Sequence, residues 1–230
     1  MKISLRIKTL LTALVITLGL ASCSKNEYDN TPIYISGLSL IHASPTAEKF
    51  DVYVDRNRAS IDDFSFGTKM DYLNAYAGNR TFQVAKKGNS TTLLTKEFTL
   101  EAEYGYSLFI VNKLENLELL FLKDDLTIPA ASKAKVRFVN LSPDAAALNY
   151  AINGQATDLA SNRAFKEYSE FITIDAAEKV TFNVKDATGV VIAALTDVKI
   201  ESGKTYTVYA KGLKANTDDT KFGAAIFTHK

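Results

Sequence analysis

From residue 33 onward the chain is a series of short apolar runs separated by polar turns, and no stretch shows sustained helical periodicity. Residues 50–54, FDVYV, place an apolar side chain at every second position, which is the pattern of a half-buried strand. Asn153-Gly154 is a typical two-residue hairpin turn. Short strands at this spacing predict an all-β protein built from antiparallel sandwiches.

The predicted strands are spread over both halves of the chain. In the first half they are residues 33–41, 50–54, 64–66, 70–75, 81–85, 93–100, 106–112 and 117–122. In the second half they are residues 135–140, 148–152, 170–174, 180–185, 190–200, 205–210 and 224–228. Each half therefore has enough predicted strands for a sandwich of its own.

A segment of the first half recurs in the second half. Residues 38–55 match residues 136–153 without a gap, so that Ser44-Pro45 falls on Ser142-Pro143. A gapless match of this length indicates that the two halves are copies of one domain.

The duplication predicts two tandem domains, over residues 34–128 and 133–230. Residues 128–132 form a short linker that contains a proline, and each half is long enough to enclose its own core. The predicted fold is therefore a pair of immunoglobulin-like or fibronectin-like antiparallel β-sandwiches.

Tyr106 and Tyr206 stand at corresponding positions, each just after a short turn. The spacing in residues 200–206 resembles the tyrosine corner of fibronectin-type sandwiches, in which the tyrosine hydroxyl bonds back to the chain. Glu103 stands where the second copy has Gly203, so we expect the two turns to differ.

The N-terminus has the pattern of a lipoprotein signal peptide. After a basic start, residues 9–20 are apolar and uncharged, a run too short to span a bilayer, which takes roughly 20 residues. It ends in Leu20-Ala21-Ser22-Cys23, which resembles the lipobox of bacterial lipoproteins. We predict a signal peptide over residues 1–22, lipid attachment at Cys23 and a polar tether over residues 23–33.

The cysteine content agrees with export and lipidation. Cys23 is the only cysteine, so an exported chain has no disulfide framework and lipidation accounts for the thiol. Ser24, rather than aspartate, follows it, which resembles lipoproteins sent on to the outer membrane. We therefore predict an exported lipoprotein anchored to the outer membrane, and the sequence leaves open whether it faces the periplasm or the cell surface.

Two motifs of the first half carry a family resemblance. His42-Ala43-Ser44-Pro45 followed by the DVYVD of residues 51–55 resembles the bacterial domain-of-unknown-function family 4397, and Phe66-Gly67 and Tyr72 fit the same pattern. The resemblance covers nearly all of residues 36–228, and the second half is the more divergent copy. It implies a sandwich fold and an exported location, and it implies no activity.

His42, Ser44 and Asp51 form the sharpest catalytic hypothesis, a serine–histidine–aspartate arrangement. The strand pattern puts Asp51 on the face opposite the apolar residues, and the second copy replaces His42 with Asn140, which cannot shuttle protons. We predict no catalytic residue, and we interpret His42 and Asn140 as buried residues that support the Ser-Pro turn. On this interpretation asparagine should be tolerated at position 42, and a hydrolase using His42 is the less favoured alternative. His229, next to the chain end, is expected in solvent.

No metal or cofactor site is predicted. The acidic pairs Asp62-Asp63, Asp124-Asp125 and Asp218-Asp219 lack the spacing of a calcium-binding loop, so we expect solvated loop residues. The sequence leaves open whether one of these loops nevertheless binds calcium.

Arg56, Asn57, Arg58 and Tyr76 form the candidate contact patch. The first three make a polar loop tip, and the chain has no tryptophan, so tyrosines are its candidate sugar-stacking residues. Those singled out are Tyr53, Tyr76, Tyr104 and Tyr168.

The predicted function is a non-catalytic binding or interaction module of the cell envelope. With 27 basic and 26 acidic residues, the chain gives no electrostatic reason to expect a nucleic-acid partner. Its partners would be the membrane, through Cys23, and an envelope protein or a glycan. The alternative is a glycan-binding accessory lipoprotein of a polysaccharide-uptake system, and the sequence does not fix the oligomeric state.

Overall fold

The computed structural model describes residues 33–229. The predicted signal peptide, Cys23 and all of the tether except Ile33 lie outside the described residues. Within residues 33–229, no helix is long and apolar enough to cross a membrane.

The first half folds into eight strands and one short 3-10 turn at Leu114–Asn116. The strands are β1 (Ile35–His42), β2 (Phe50–Val54), β3 (Asn57–Arg58), β4 (Leu73–Tyr76), β5 (Gly78–Lys86), β6 (Thr92–Leu100), β7 (Gly105–Val111) and β8 (Glu118–Asp124).

The second half repeats the series with eight further strands. They are β9 (Lys133–Asn140), β10 (Leu148–Ile152), β11 (Ala160–Arg163), β12 (Ile172–Asp175), β13 (Ala177–Lys185), β14 (Val191–Ile200), β15 (Thr205–Lys211) and β16 (Gly223–Thr228).

Each half is a sandwich of two four-stranded sheets with the same strand order. The first has sheets β4-β1-β7-β8 and β3-β2-β5-β6, and the second has β12-β9-β15-β16 and β11-β10-β13-β14. Neighbouring strands are antiparallel, except that β1 runs parallel to β7 and β9 parallel to β15. The predicted sandwich fold is confirmed, and both copies have the same topology.

Two details of the strand prediction were wrong. Residues 64–66 form a loop, from which the fully buried Phe64 side chain reaches into the core. The edge strands β3 and β11 were missed, since neither has the alternating apolar pattern by which the other strands were recognised.

Both tyrosine corners form, and the expectation that their turns differ was wrong. The backbone N–H groups of Glu101 and Glu201 donate to the hydroxyls of Tyr106 and Tyr206, each at 3.0 Å. Glu103 adopts the left-handed conformation of Gly203, with φ of 69° against 79°. The first copy keeps the turn and accepts a backbone strain of about 1–2 kcal/mol.

Each sandwich encloses its own apolar core. Phe50 and Phe82 lie at the centre of the first core, and Phe138, Tyr150 and Phe182 lie at the centre of the second. In the second core Tyr150 stacks on Phe138 with ring centroids 4.9 Å apart.

A third apolar cluster joins the two sandwiches. Alternate side chains of β7 face opposite sides, since Leu108 packs in the first core while Phe109 packs against Tyr209 and Val139 of the second half. The sheets containing β7 and β15 are therefore covered on both faces, and the four sheets stack in four layers. Separation of the two halves would expose this cluster to solvent. That each half folds alone stays a prediction.

A buried ion pair lies in the same interface. Arg137, 2% exposed, donates from Nη2 to Asp124 Oδ1 at 2.7 Å. The hydroxyls of Tyr72 and Ser107 donate to the other oxygen of Asp124 at 2.7 and 2.8 Å. The expectation that Asp124 is a solvated loop residue was wrong, because the second sandwich covers the end of β8.

His229 completes this cluster. Its Nδ1 lies 2.7 Å from the Tyr72 hydroxyl and its Nε2 lies 2.7 Å from the Thr207 hydroxyl. Because Tyr72 donates to Asp124, Nδ1–H donates to Tyr72 and Thr207 donates to Nε2. Burial lowers the pKa of His229 to about 4, so the ring is neutral at pH 7. The expectation that His229 is in solvent was wrong, since its backbone N–H extends the β15–β16 pairing by bonding to Thr205.

Corresponding positions of the two copies meet in this cluster. Strand register places Ser39 beside Ser107 in the first copy and Arg137 beside Thr207 in the second. Asp124 and His229 likewise occupy corresponding ends of β8 and β16. The duplicated surfaces face one another, with Asp124 on the first sandwich and His229 at the corresponding position on the second.

Removing one member of the ion pair should destabilise the protein strongly. We expect Arg137→Met to cost about 3–5 kcal/mol, because it leaves the Asp124 carboxylate buried without its counter-ion. The double variant Arg137→Met/Asp124→Leu should cost less than the sum of the single changes. Urea unfolding followed by circular dichroism measures all three.

The control is the exposed pair Lys133–Asp175, whose side chains are 42% and 80% accessible. Lys133→Met should cost less than about 1 kcal/mol. Equal losses for Arg137→Met and Lys133→Met would show that the buried pair does not hold the two sandwiches together.

Candidate functional site

A groove opens along one edge of the first sandwich, where the edge strands β3 and β4 belong to different sheets and do not pair. Its volume is about 380 Å³. The floor is apolar and belongs to the first core, with Leu38, Val54 and Leu73 among its members. We call this feature the edge groove.

Two arginines on the wall of the edge groove are held by carboxylates. Arg58 bonds to Asp62 at 2.7 Å and lies 2.8 Å from the buried Asp51. Arg80 bonds to Asp55 at 2.8 Å, and this bond holds the pKa of Asp55 below its ordinary value. Both guanidinium groups are therefore ion-paired with carboxylates of the same sandwich.

Tyr76 is the exposed aromatic side chain of the edge groove, 63% accessible to solvent. Asn57 and Asn74 lie beside it and supply amide groups. An apolar floor with an exposed ring and a few oriented polar groups is typical of sites for small, hydroxyl-rich ligands.

The structure brings together three of the four residues of the predicted contact patch. Asn57, Arg58 and Tyr76 line the edge groove, while Arg56 lies at the tip of the β2–β3 hairpin and lines a neighbouring depression. Sequence reasoning missed Asn74, although it stands two residues before Tyr76 on the same strand face and could have been found from that alternation.

The edge groove belongs to the first copy. At the hairpin, Arg56 has a φ of 71° where the second copy has Gly154 at 83°. Strand register places Asp175 of the second copy at the position of Tyr76. The second sandwich has therefore kept the fold without the aromatic side chain that marks the groove.

The residues of the hypothetical triad do not contact one another as a triad requires. His42 Nε2 lies 3.2 Å from the carbonyl oxygen of Glu48, while the Ser44 hydroxyl donates to the carbonyl of Asn112 at 2.6 Å. Asp51 accepts from the backbone N–H of Gly88. His42 is fully buried, and burial lowers its pKa to about 4.

His42 and Asn140 are both buried and both bond to backbone, through different partners. Asn140 accepts from Ser142 N–H at 3.1 Å and donates to the carbonyl of Arg163 at 2.9 Å. His42 bonds instead to Glu48 and stacks on Phe50, with ring centroids 4.5 Å apart. The two residues thus hold the same turn region by different contacts.

The acidic pairs do not converge on a common point. Within residues 33–229, no three His, Cys, Asp or Glu side chains are grouped so as to hold a metal ion. Asp62, Asp63, Asp218 and Asp219 are exposed. Asp62 and Asp63 are paired with Arg58 and Lys49.

The stack on Phe50 changes what we expect of His42→Asn. Asparagine keeps a polar group but loses the ring contact, so we now expect a cost of about 1–3 kcal/mol at pH 7. Because the pKa of His42 is about 4 when folded and 6.5 otherwise, its contribution to stability is lost as the pH falls from 6.5 to 4. Asparagine does not titrate, so the free energy of unfolding that is lost between pH 6.5 and pH 4 should be smaller in His42→Asn by on the order of 3 kcal/mol.

Urea unfolding at several pH values between 4 and 7 measures both effects. Asn140→Ala is the matched control in the second copy, since it removes buried hydrogen bonds without removing a titrating group. An unchanged pH dependence in His42→Asn would contradict a buried neutral histidine.

The solved structures with a similar fold have low sequence identity to this chain and low TM-scores. A streptococcal virulence factor described as α-glucan-binding is 14% identical over 82% of this chain and 96% of its own, with a TM-score of 0.25. A family 26 carbohydrate-binding module from Eubacterium rectale Amy13K, solved with maltoheptaose, is 9% identical over 83% and 96%, with a TM-score of 0.26. Scores this low support no functional inference. No curated protein matches the chain significantly.

A family model matches residues 36–151 of the 230-residue chain, from β1 into β10. It is described as Domain of unknown function (DUF4397). The match confirms the resemblance seen in the HASP and DVYVD motifs, and it ends before the remaining strands of the divergent second copy. Because the match covers half of its length, the chain belongs to the DUF4397 family.

Proposed function

We propose that this protein is a non-catalytic, lipid-anchored binding protein of the bacterial cell envelope and that its edge groove binds a carbohydrate. The observation that carries the proposal is that Asn57, Arg58, Asn74 and Tyr76 all line one groove whose floor is apolar. These residues come from two edge strands of different sheets, and the second copy lacks the tyrosine.

The chemistry of the edge groove fits a sugar. One face of a sugar ring is rich in C–H groups, which pack well on an aromatic face such as that of Tyr76. Amide and guanidinium groups form directional hydrogen bonds with hydroxyls. Because Arg58 and Arg80 are already paired with Asp62 and Asp55, they offer donors without demanding an anionic ligand.

The location rests on the sequence signal. Residues 1–22 have the pattern of a lipoprotein signal peptide, and Cys23 follows it at the position of the lipidated cysteine. An anchored binding module would serve as an accessory lipoprotein in polysaccharide uptake. A hydrolase using His42 is not favoured, since His42 and Ser44 bond to separate backbone carbonyls.

Replacement of Tyr76 tests the site. Tyr76→Ala should weaken carbohydrate binding by at least about tenfold, because it removes the exposed stacking surface. Binding is measured on an oligosaccharide array and then by calorimetry with the sugars that bind. Tyr168→Ala is the matched control, since Tyr168 is 42% exposed but lies on the second sandwich.

Two results would contradict the site. Wild-type protein that binds no oligosaccharide would remove the carbohydrate proposal. Equal loss of binding in Tyr76→Ala and Tyr168→Ala would place the ligand elsewhere.

Lipid attachment is tested separately. Cells supplied with radioactive palmitate should label the wild-type protein, and Cys23→Ser should abolish the label and release the protein from the membrane fraction. A Cys23→Ser protein that is still labelled would refute the predicted anchor.

A further inference from the structure

The edge groove is the first of three neighbouring cavities that share lining residues. The second, about 300 Å³ in volume, shares Asn74 with the edge groove. The third, about 590 Å³, lies where the chain passes between the two sandwiches, and it shares Glu103, Tyr104 and Leu126 with the second. Since shared lining residues make neighbouring cavities adjacent, the three cavities lie in a row, and we call this row the furrow.

Exposed tyrosines stand at two points along this furrow. Tyr76 pairs with Ile35 on one side of β1, and Glu103 N–H bonds to Ile35 on the other side. Tyr76 and Tyr104 are therefore separated by two strand spacings, about 10 Å. A single sugar ring is narrower than this backbone separation, so contact with both tyrosines calls for a longer ligand.

The Tyr104 ring is held in place before a ligand arrives. The Lys123 ammonium lies 3.3 Å from the ring centroid, and Glu101 bonds to that ammonium at 2.9 Å. The ring nevertheless stays 46% exposed. A fixed and exposed aromatic ring loses little conformational freedom when a ligand stacks on it.

Hydrogen-bonding groups line the far end of the furrow. Glu103 and Glu170 are exposed there, and neither forms a salt bridge within residues 33–229. Glu103 occupies the left-handed position that is Gly203 in the second copy. The first copy thus carries a carboxylate on the furrow where the fold itself requires only glycine.

We infer that the ligand is an extended glycan chain that lies along the whole furrow, from Arg58 and Tyr76 to Tyr104 and the cavity between the sandwiches. The inference rests on the proposed function, and it adds the class of ligand, a polysaccharide bound along its length rather than a small sugar. A carbohydrate that fills only the edge groove would leave Tyr104 and Glu103 without a role.

The test is a series of oligosaccharides of increasing length. The probes are α- and β-linked oligomers of glucose, mannose and xylose, from disaccharides to octasaccharides, titrated into the full chain by calorimetry. We expect affinity to rise with length until the furrow is filled. Tyr104→Ala should weaken binding of the longest oligomers about tenfold and leave disaccharide binding unchanged, whereas Tyr76→Ala should weaken both.

Glu103→Gly is a variant that keeps the turn. It introduces the residue that the second copy has at this position, so the melting temperature should not fall. It should weaken binding of long oligomers several-fold and leave short ones unaffected. Tyr168→Ala serves as the control for both variants.

The outcomes separate the two levels of the proposal. Binding that does not depend on length, with Tyr104→Ala and Glu103→Gly equal to wild type, would overturn the furrow and leave the edge groove as the site. Binding of no oligosaccharide of any length would overturn both.

Discussion

The burial of one ion pair between two faces of sheet fixes the relation between the halves of this molecule. Arg137 and Asp124 have lost their hydration, and the counter-ion of each is supplied by the other sandwich. Asp124 also accepts from Tyr72, whose ring lies flat against β1 and β7. Glycine at positions 37 and 105 leaves room for this contact, because an added Cβ atom would lie 3.0 Å from the Tyr72 ring at position 37 and 2.6 Å from Leu126 at position 105.

The same contacts position the far end of the furrow. Asp124 and Phe171 both border the large cavity between the sandwiches, and Arg137 lies over the Phe171 ring at 4.6 Å. The cavity therefore has a floor set by the interface and not by either sandwich alone. If the interface opened, the edge groove would persist while the cavity beside Tyr104 would lose one wall.

The two copies show what the fold requires and what the first copy has added. Both keep the tyrosine corner, the strand order and the left-handed turn positions. Left-handed positions are easiest for glycine, and the second copy has glycine at positions 154 and 203. The first copy has Arg56 and Glu103 there, and it has Tyr76 where the second has Asp175. Arg56, Glu103 and Tyr76 are therefore side chains of the first copy that the shared fold does not require at these positions.

The local pattern of apolar and polar residues predicted most of the strands. The interface between the two sandwiches depends on contacts between residues far apart in the sequence. Alternation located most strands, and spacing alone located both tyrosine corners. The third apolar cluster was missed because the sequence was divided into separate domains. The structure buries every residue of β7, which is typical of a strand covered on both faces. His229 was misplaced since nothing in its neighbours shows that a sheet from the other half covers it. Arg58 and Tyr76 could be nominated singly, but their meeting across two sheet edges depends on the fold.

The open edge also bears on what kind of ligand fits. An exposed sheet edge invites a further strand, and natural proteins prevent this with short edge strands and charged side chains. Here β3 has two residues and β4 has four, and Arg58 and Arg80 stand beside them. A peptide strand would find too few free backbone groups for a ladder. A glycan needs no ladder, since it binds through rings and hydrogen-bonding side chains, and those are the groups that the edge presents. The features that keep the edge from pairing thus supply the chemistry of the proposed site.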